Sequence, residues 1–478
     1  MELWRDSLSR APKVKYSNID LLANLSGKRT EITTATANKR SVLFWLSRVR
    51  SQSDLALFFI CFFRPFLLCR IVNSFETNVL TKYDEKGAGR FMKSIFKLVA
   101  VSLVTLLMAA TMAGCGGSSS KDIKIGILDE LTGSNATFGT SAANGAKMAI
   151  KEANAKGGVL GKQIQAVVAD NKSEPSESAN AMTKLATQDK VVAVTGIFAS
   201  SNAIAASSVA EASKLPFIAV GATNPKVTVD EATGKVKNYS FRVCFIDPFQ
   251  GTVGANFVLN TLKLNKAVIL VDNSSDYSKG LSAFFKDAFT KGGGSILAEE
   301  AYLQKDQDFK TILTKVKGLN ADVIYVPGYY EEVGKIVKQA REMGITAPIV
   351  GGDGWDSPKL VEIGGAPALN NTYFTNHYSV DDTSPAAQAF VQAYKKEYGQ
   401  APDAMAVLGY DAANVLIDAI KRAGSAEPEK IREALAATKD YPAITGSTTL
   451  NASHDAVKSA VIIEFKDGKQ MYKATIKP

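Results

Sequence analysis

Residues 123–164 read IKIGILDELTGSNATFGTSAANGAKMAIKEANAKGGVLGKQI, and the residue pattern changes character within them. Ile123–Leu128 is a short β-branched run of strand type. From Gly139 to Ala155, the residues Ala142, Ala146, Ala149, Ile150 and Ala153 recur at helical spacing and form one stripe. Lys156–Lys162 contains Gly157, Gly158 and Gly161 and reads as a turn. Gln163–Ala169 is a second strand. Strand, helix and strand in succession make a βαβ unit, which calls for parallel pairing.

The same alternation continues outward. Pro175–Asp189 is predicted helical with Ser173 as its cap, Val191–Gly196 is a third strand, Ala203–Lys214 a helix and Phe217–Val220 a fourth strand. It restarts with a strand at Ala267–Asp272 and a helix at Gly280–Lys291. Ser295–Tyr302, Phe309–Gly318, Val323–Pro327, Glu331–Met343 and Ile349–Val350 then alternate in turn. Two such series imply an α/β protein of two doubly wound, Rossmann-like lobes. In such folds ligands sit at the carboxyl ends of the strands, so the loops just after each strand carry the candidate site.

The formal net charge of +9 invites a nucleic-acid reading, but the charge is not spread over the chain. Residues 1–114 hold 17 Lys/Arg against 8 Asp/Glu, which leaves 39 of each for residues 115–478. The folded part is formally neutral, and no nucleic-acid partner is expected. The four cysteines, Cys61, Cys69, Cys115 and Cys244, form no CxxC pair. The two histidines, His377 and His454, lie far apart in sequence, so no metal site is expected.

Residues 92–115 read MKSIFKLVAVSLVTLLMAATMAGC: a basic start, an apolar run from Leu98 to Ala110, then small residues before Cys115. This is the pattern of a secretory signal peptide over 92–114. Its ending resembles the bacterial lipoprotein signal, which implies that Cys115 is lipidated and becomes the first mature residue. Residues 115–121 would form a flexible tether. The other reading of the apolar run is a plain transmembrane helix, for which it is short. Residues 1–91 lie upstream of this signal and are expected to be untranslated or a disordered extension, with Met92 as the start. Lys86-Gly87-Ala88 can be encoded by a purine-rich stretch of ribosome-binding type. The competing reading is a genuine N-terminal membrane extension built on the apolar bursts Ser41–Leu46 and Leu55–Val72.

Several stretches beyond the opening one follow in a familiar order: VTGIFASSNAIA, LPFIAVGATNP, DNSSDYSKG, VIYVPGYYEEVGKIVKQAREMG and GGDGWDSPKL. Together they resemble the leucine/isoleucine/valine-binding family of receptors for ABC importers, over about residues 122–478. That resemblance implies a type I periplasmic binding protein, with two lobes joined by three crossings. Lobe one is expected at 122–246 plus 377–446, and lobe two at 247–376 plus 447–478. It further implies an extracytoplasmic, lipid-anchored and monomeric solute-binding subunit that works with importer permease subunits. The ligand would be a branched-chain or similar apolar amino acid, enclosed by hinge closure and without a cofactor. The alternatives are a receptor of the same fold for aromatic acids, amides or urea, or a sensory ligand-binding protein.

A zwitterion needs donors for its carboxylate, an anion for its ammonium and a shaped apolar wall. The Gly196–Ser201 loop offers hydroxyls and amides just before a helix, an anion cradle in which the resemblance gives Ser200 the carboxylate. Read without the family, Ser200 and Ser201 could equally be helix caps. Gly221 and Thr223 match the loop that holds carboxylate and ammonium, a segment otherwise read as an ordinary turn. Asp353 matches the acidic position facing the ammonium, where the prototype carries the longer Glu. As an Asp flanked by Gly352 and Gly354 it also reads as a turn former, whose replacement by Asn should leave the fold intact. The apolar wall is expected from Phe138, Phe198, Tyr277, Tyr329 and Trp355, with Met405 and Tyr410 near the hinge. The prototype's disulfide positions are Ser173 and Ala199 here, and Cys244 reads as a buried structural thiol. No GxGxxG after a strand, GxxxxGK[ST], GxSxG or HExxH occurs, so an enzyme is not expected.

Overall fold

The computed structural model describes residues 122–478. The signal peptide expected at 92–114, Cys115, the tether expected before Asp122 and residues 1–91 lie outside the described residues. Among the described residues no helix is long and apolar enough to cross a membrane.

The first sheet is built from β1 (Ile123–Asp129), β2 (Ile164–Asp170), β3 (Ala193–Gly196), β4 (Phe217–Ala219) and β5 (Ser240–Arg242). Their order is β2-β1-β3-β4-β5, and every neighbouring pair is parallel. The chain leaves β1 first to one side and then to the other, so the strand order reverses between β1 and β3. A crevice opens at the carboxyl ends of strands at such a switch point.

The intervening helices are α1 (Ala136–Ala155), α2 (Pro175–Lys184) and α3 (Ser200–Ser213). Both α1 and α3 begin three residues earlier than their apolar stripes suggest, so Phe138 and Ser200 lie in first turns rather than in loops. Ser173 does not cap α2: it sits at φ +62°, and its hydroxyl instead ties the 132–135 loop by donating to Thr132 O and accepting from Asn135 N.

The second sheet contains β6 (Lys266–Asp272), β7 (Ser295–Tyr302), β8 (Val323–Val326), β9 (Ile349–Gly351) and β10 (Thr372–Asn376). These strands are mutually parallel where they pair. Its helices are α4 (Asp247–Asn256), α5 (Asp276–Lys291), α6 (Lys310–Gly318), α7 (Tyr330–Glu342) and α8 (Pro358–Gly364). Three more helices follow β10: α9 (Pro385–Tyr398), α10 (Ala404–Ala423) and α11 (Pro428–Ala436). The α10 helix packs on α1 of the first lobe. A Cβ at Gly145 would lie 2.0 Å from Ala406 O, and one at Gly409 would lie 2.1 Å from Ala142 O. Only glycine lets the two backbones approach that closely, which accounts for the small-residue stripe of α1.

After a short hairpin of β11 (Tyr441–Ala443) and β12 (Gly446–Thr448), the chain returns to the second sheet. There β13 (Ala460–Lys466) pairs antiparallel with β10, and β14 (Lys469–Ile476) forms a hairpin with β13. The second sheet is therefore mixed, in the order β14-β13-β10-β9-β8-β6-β7. Its own switch point lies between β6 and β8.

Candidate functional site

In the first lobe, two buried carboxylates at the end of β1 shape the loop after β3. Asp129 Oδ1 accepts from Ile197 N at 2.7 Å. Glu130 accepts from Phe198 N, Ala199 N, Asn202 Nδ2 and Asn171 Nδ2 at 2.9–3.3 Å. Burial raises both acids, Asp129 well above its ordinary range with the neighbouring charge of Glu130 adding to it. Ile197 is held at φ +61°, a left-handed conformation rare for a β-branched residue, and the Asp129 bond to its own N–H fixes it there.

The amides of Ile197, Phe198 and Ala199 are thus already occupied and do not form the expected anion cradle. The first-turn N–H groups of α3, from Ser200 on, have no partner within the helix. Neither Ser200 nor Ser201 is the cap of α3. Ser200 Oγ accepts from Asn224 N at 3.2 Å, and Ser201 Oγ bonds Asp276 of the second lobe at 3.0 Å.

The loop after β4 lies beside it. Thr223 is fully buried, and its Oγ1 has no hydrogen-bond partner. Gly221 is required sterically, because a Cβ there would stand 2.3 Å from Cδ2 of Phe198 and 3.4 Å from Sδ of Met405. Met405 therefore borders this loop. Tyr410 instead braces α10 on α1, donating to Glu152 at 2.7 Å.

In the second lobe, Asp353 opens a short 3-10 turn after β9 and is fully buried. Its Oδ1 accepts from Gln250 Nε2 at 2.8 Å and Tyr277 OH at 2.9 Å, and its Oδ2 lies 3.0 Å from His377 Nε2. Burial lowers the His377 pKa, so the ring is neutral and its Nε2–H donates. That ring also stacks on Phe245 at 3.7 Å. Asp353 is consequently a core residue with three donors rather than a free turn former.

Four of the five expected wall residues come together. Phe138 and Phe198 of the first lobe lie 4.2 Å apart between ring centroids, and Phe198 lies 5.8 Å from Tyr329 of the second. Tyr329 stacks on Tyr277 at 5.1 Å. Tyr330, not anticipated from the sequence, meets Phe138 edge-on at 4.9 Å and donates to Ser134 O across the lobes at 2.7 Å.

Trp355 is not in this cluster. Its indole lies against the Gly351 backbone, its Nε1 donates to Val326 O at 3.0 Å, and its aromatic neighbour is Phe374. A buried indole N–H needs an acceptor, and the last carbonyl of β8 supplies it inside the second lobe.

The two lobes touch directly beyond their strand ends: Thr137 Oγ1 lies 3.0 Å from Ser357 Oγ, and Asn224 Nδ2 donates to Asp276 O at 2.8 Å. Between them lie first-turn amides, an unpartnered hydroxyl, a buried carboxylate and an aromatic lining. That arrangement suits a small molecule with an anionic end, a cationic end and an apolar body.

Comparison with known proteins points the same way. The family described as periplasmic binding protein matches residues 122–470. The Leu/Ile/Val-binding protein BraC3 of Rhizobium johnstonii is 32% identical, over 78% of this chain and 98% of its own. Among solved structures, the leucine-binding protein LivK of Thermotoga maritima is 39% identical with a TM-score of 0.71, covering 74% of this chain and 99% of its own. The branched-chain amino acid transporter substrate-binding protein LivJ of Streptococcus pneumoniae, solved with isoleucine, is 41% identical with a TM-score of 0.70. It covers 75% of this chain and all of its own.

Proposed function

Since this chain belongs to the periplasmic binding protein family, among the leucine/isoleucine/valine-binding proteins, we propose that it is the solute-binding subunit of an ABC importer and captures a branched-chain or similar apolar amino acid between its lobes. The observation that carries this reading is the aromatic cluster of Phe138, Phe198, Tyr277 and Tyr329 spanning the two lobes, with Tyr277 bonded to the buried Asp353. The ligand carboxylate would take the first-turn amides of α3, the Ser200 hydroxyl and the Gly221–Thr223 loop. Its ammonium would face the acidic side of the second lobe, and its side chain would lie among the aromatic rings. Such a ligand ties the lobes together and so favours the closed form over an open one.

The protein would be delivered by the signal peptide at 92–114 and held on the outer side of a membrane by a lipid on Cys115. It would hand its ligand to permease subunits as a monomer, in binding rather than catalysis. A thermal-shift screen of the purified protein against amino acids, aromatic acids, amides and urea tests the reading. A branched-chain amino acid at a hundred times its dissociation constant should add about 2.7 kcal/mol. A response confined to aromatic acids, amides or urea would contradict the amino-acid assignment.

A further inference from the structure

One fully buried carboxylate has no role in the site as described so far. Asp247 is the first residue of α4, where the chain crosses from the first sheet to the second. Its N–H donates to Thr223 O at 3.0 Å, which places it against the loop of the first lobe. Gln250 lies one turn further along the same helical face and donates to Asp353 Oδ1 at 2.8 Å. The first turn of α4 therefore spans the interval between Thr223 and the Asp353 shell.

Within that interval neither oxygen of Asp247 makes a full hydrogen bond, and neither does Thr223 Oγ1; the Thr223 hydroxyl, near enough to ease the carboxylate, is the one neutral polar group that serves it. Buried carboxylates are rarely left so poorly served, and here the only polar neighbour in reach is a hydroxyl that is itself without a full hydrogen bond. Asp353, by contrast, is already served by Gln250, Tyr277 and His377. Space is kept for the Asp247 carboxylate by Gly280 of α5, where a Cβ would stand 3.2 Å from Asp247 Oδ2 and 2.5 Å from Asn224 Nδ2.

We propose that Asp247 is a second anion of the ligand site and that, with Thr223, it receives the ammonium group of the captured amino acid. The inference rests on the amino-acid reading above. Asp353 then acts from behind, held in place by its own three donors. A purely structural role for Asp247, as an acidic residue in the first turn of α4, would leave its ionisation indifferent to ligand.

The charged and titratable groups around Asp247 give the proposal a measurable consequence. Burial pushes Asp247 up to about 8; the neighbouring Thr223 hydroxyl opposes the effect, the charge of Asp353 adds to it and that of Arg242 on β5 opposes it. The phenols of Tyr277 on α5 and Tyr325 on β8 also face this pair and are themselves raised, by burial first. At pH 7 an acid with a pKa near 8 is roughly nine-tenths protonated. An ammonium placed beside it favours the carboxylate, so binding expels about one proton to solvent.

Isothermal calorimetry of the purified full chain decides, with leucine, isoleucine, valine and phenylalanine as probes, at pH 7 in phosphate and in Tris. The difference in heat between the two buffers counts protons released. Expected for the wild type is release of about one proton per ligand bound; for Asp247→Asn, about tenfold weaker binding or worse and no release. The wild-type proton count stands even if the variant folds poorly. Absence of a buffer-dependent heat in the wild type, or binding by Asp247→Asn within about twofold of wild type, would overturn the role of Asp247 while leaving the amino-acid reading in place. If none of the four probes binds the wild type, that reading falls and this inference with it.

Discussion

His377 Nε2 lies 3.0 Å from Asp353 Oδ2, both side chains fully buried, so the chain segment just past β10 is fastened to the acidic residue that follows β9. With Gln250 and Tyr277 on the other oxygen, this carboxylate is bonded from three separate elements. The expectation that Asp353→Asn would leave the fold untouched does not survive this geometry. An amide in its place turns an NH2 group towards at least one donor. We predict a loss of about 1–3 kcal/mol of folding stability, together with weakened amino-acid binding. Chemical denaturation and calorimetry on the same sample check both, and an unchanged denaturation midpoint would argue against the three-donor shell.

Glu130→Gln tests the other buried acid of the site. Four N–H groups converge on the Glu130 carboxylate, and a glutamine amide can accept on one side only. The Phe198–Ser200 segment should loosen, lowering stability by about 1–3 kcal/mol and weakening ligand binding in the same variant. Equal melting temperature and equal affinity would show that Glu130 does not shape the loop.

Trp355→Phe separates a wall from a core position. If the indole serves the second lobe through its bond to Val326 O, the variant should lose about 1 kcal/mol of stability, and its affinity should stay within about twofold of wild type. A large change in which amino acids bind, with stability intact, would return Trp355 to the ligand wall.

Stability should also fall as pH rises towards neutrality. Burial pushes Glu332 up to about 7, and pushes Asp403 up to about 7 with the charge of Asp356 adding to it. A carboxyl whose pKa is higher in the folded than in the unfolded chain contributes stability at low pH, and that contribution is lost as pH rises through the folded value. Between about pH 5 and 7 each such group costs up to about 1.4 kcal/mol per pH unit. Scanning calorimetry across that window should show a falling melting temperature, less steep in Glu332→Gln. The same slope in wild type and variant would contradict the assignment.

The βαβ frame was legible because apolar runs and helical stripes are local signals, and Ser200, Thr223 and Asp353 do follow strand ends, Ser200 in the first turn of α3 and Asp353 in a 3-10 turn. Helix starts were misjudged where the first turn carries polar or aromatic residues, as at Ala136–Phe138, Ser200–Asn202 and Asp276–Tyr277. Gln250 and His377 stayed invisible because their partner, Asp353, lies 103 and 24 residues away, and only the fold brings them together. Asp129, Glu130 and Asp247 escaped notice for a related reason: in sequence a strand-end acid looks like a solvated loop residue, and here all three are buried. Trp355 misled because position beside Asp353 does not fix direction. A 3-10 turn sends neighbouring side chains to different sides, and the indole turns to Val326 O inside the second lobe.

The central claim is that the interlobe site recognises both charged ends of an apolar amino acid, and one calorimetric comparison tests it most directly. Leucine and its deaminated analogue, which keeps the carboxylate and the side chain, are titrated into the wild-type protein at pH 7. We expect saturable one-to-one binding of leucine or a close homologue and an analogue weaker by at least about thirtyfold, the loss expected when a buried charge pair forgoes about 2 kcal/mol or more. An analogue that binds as tightly as the amino acid would contradict it.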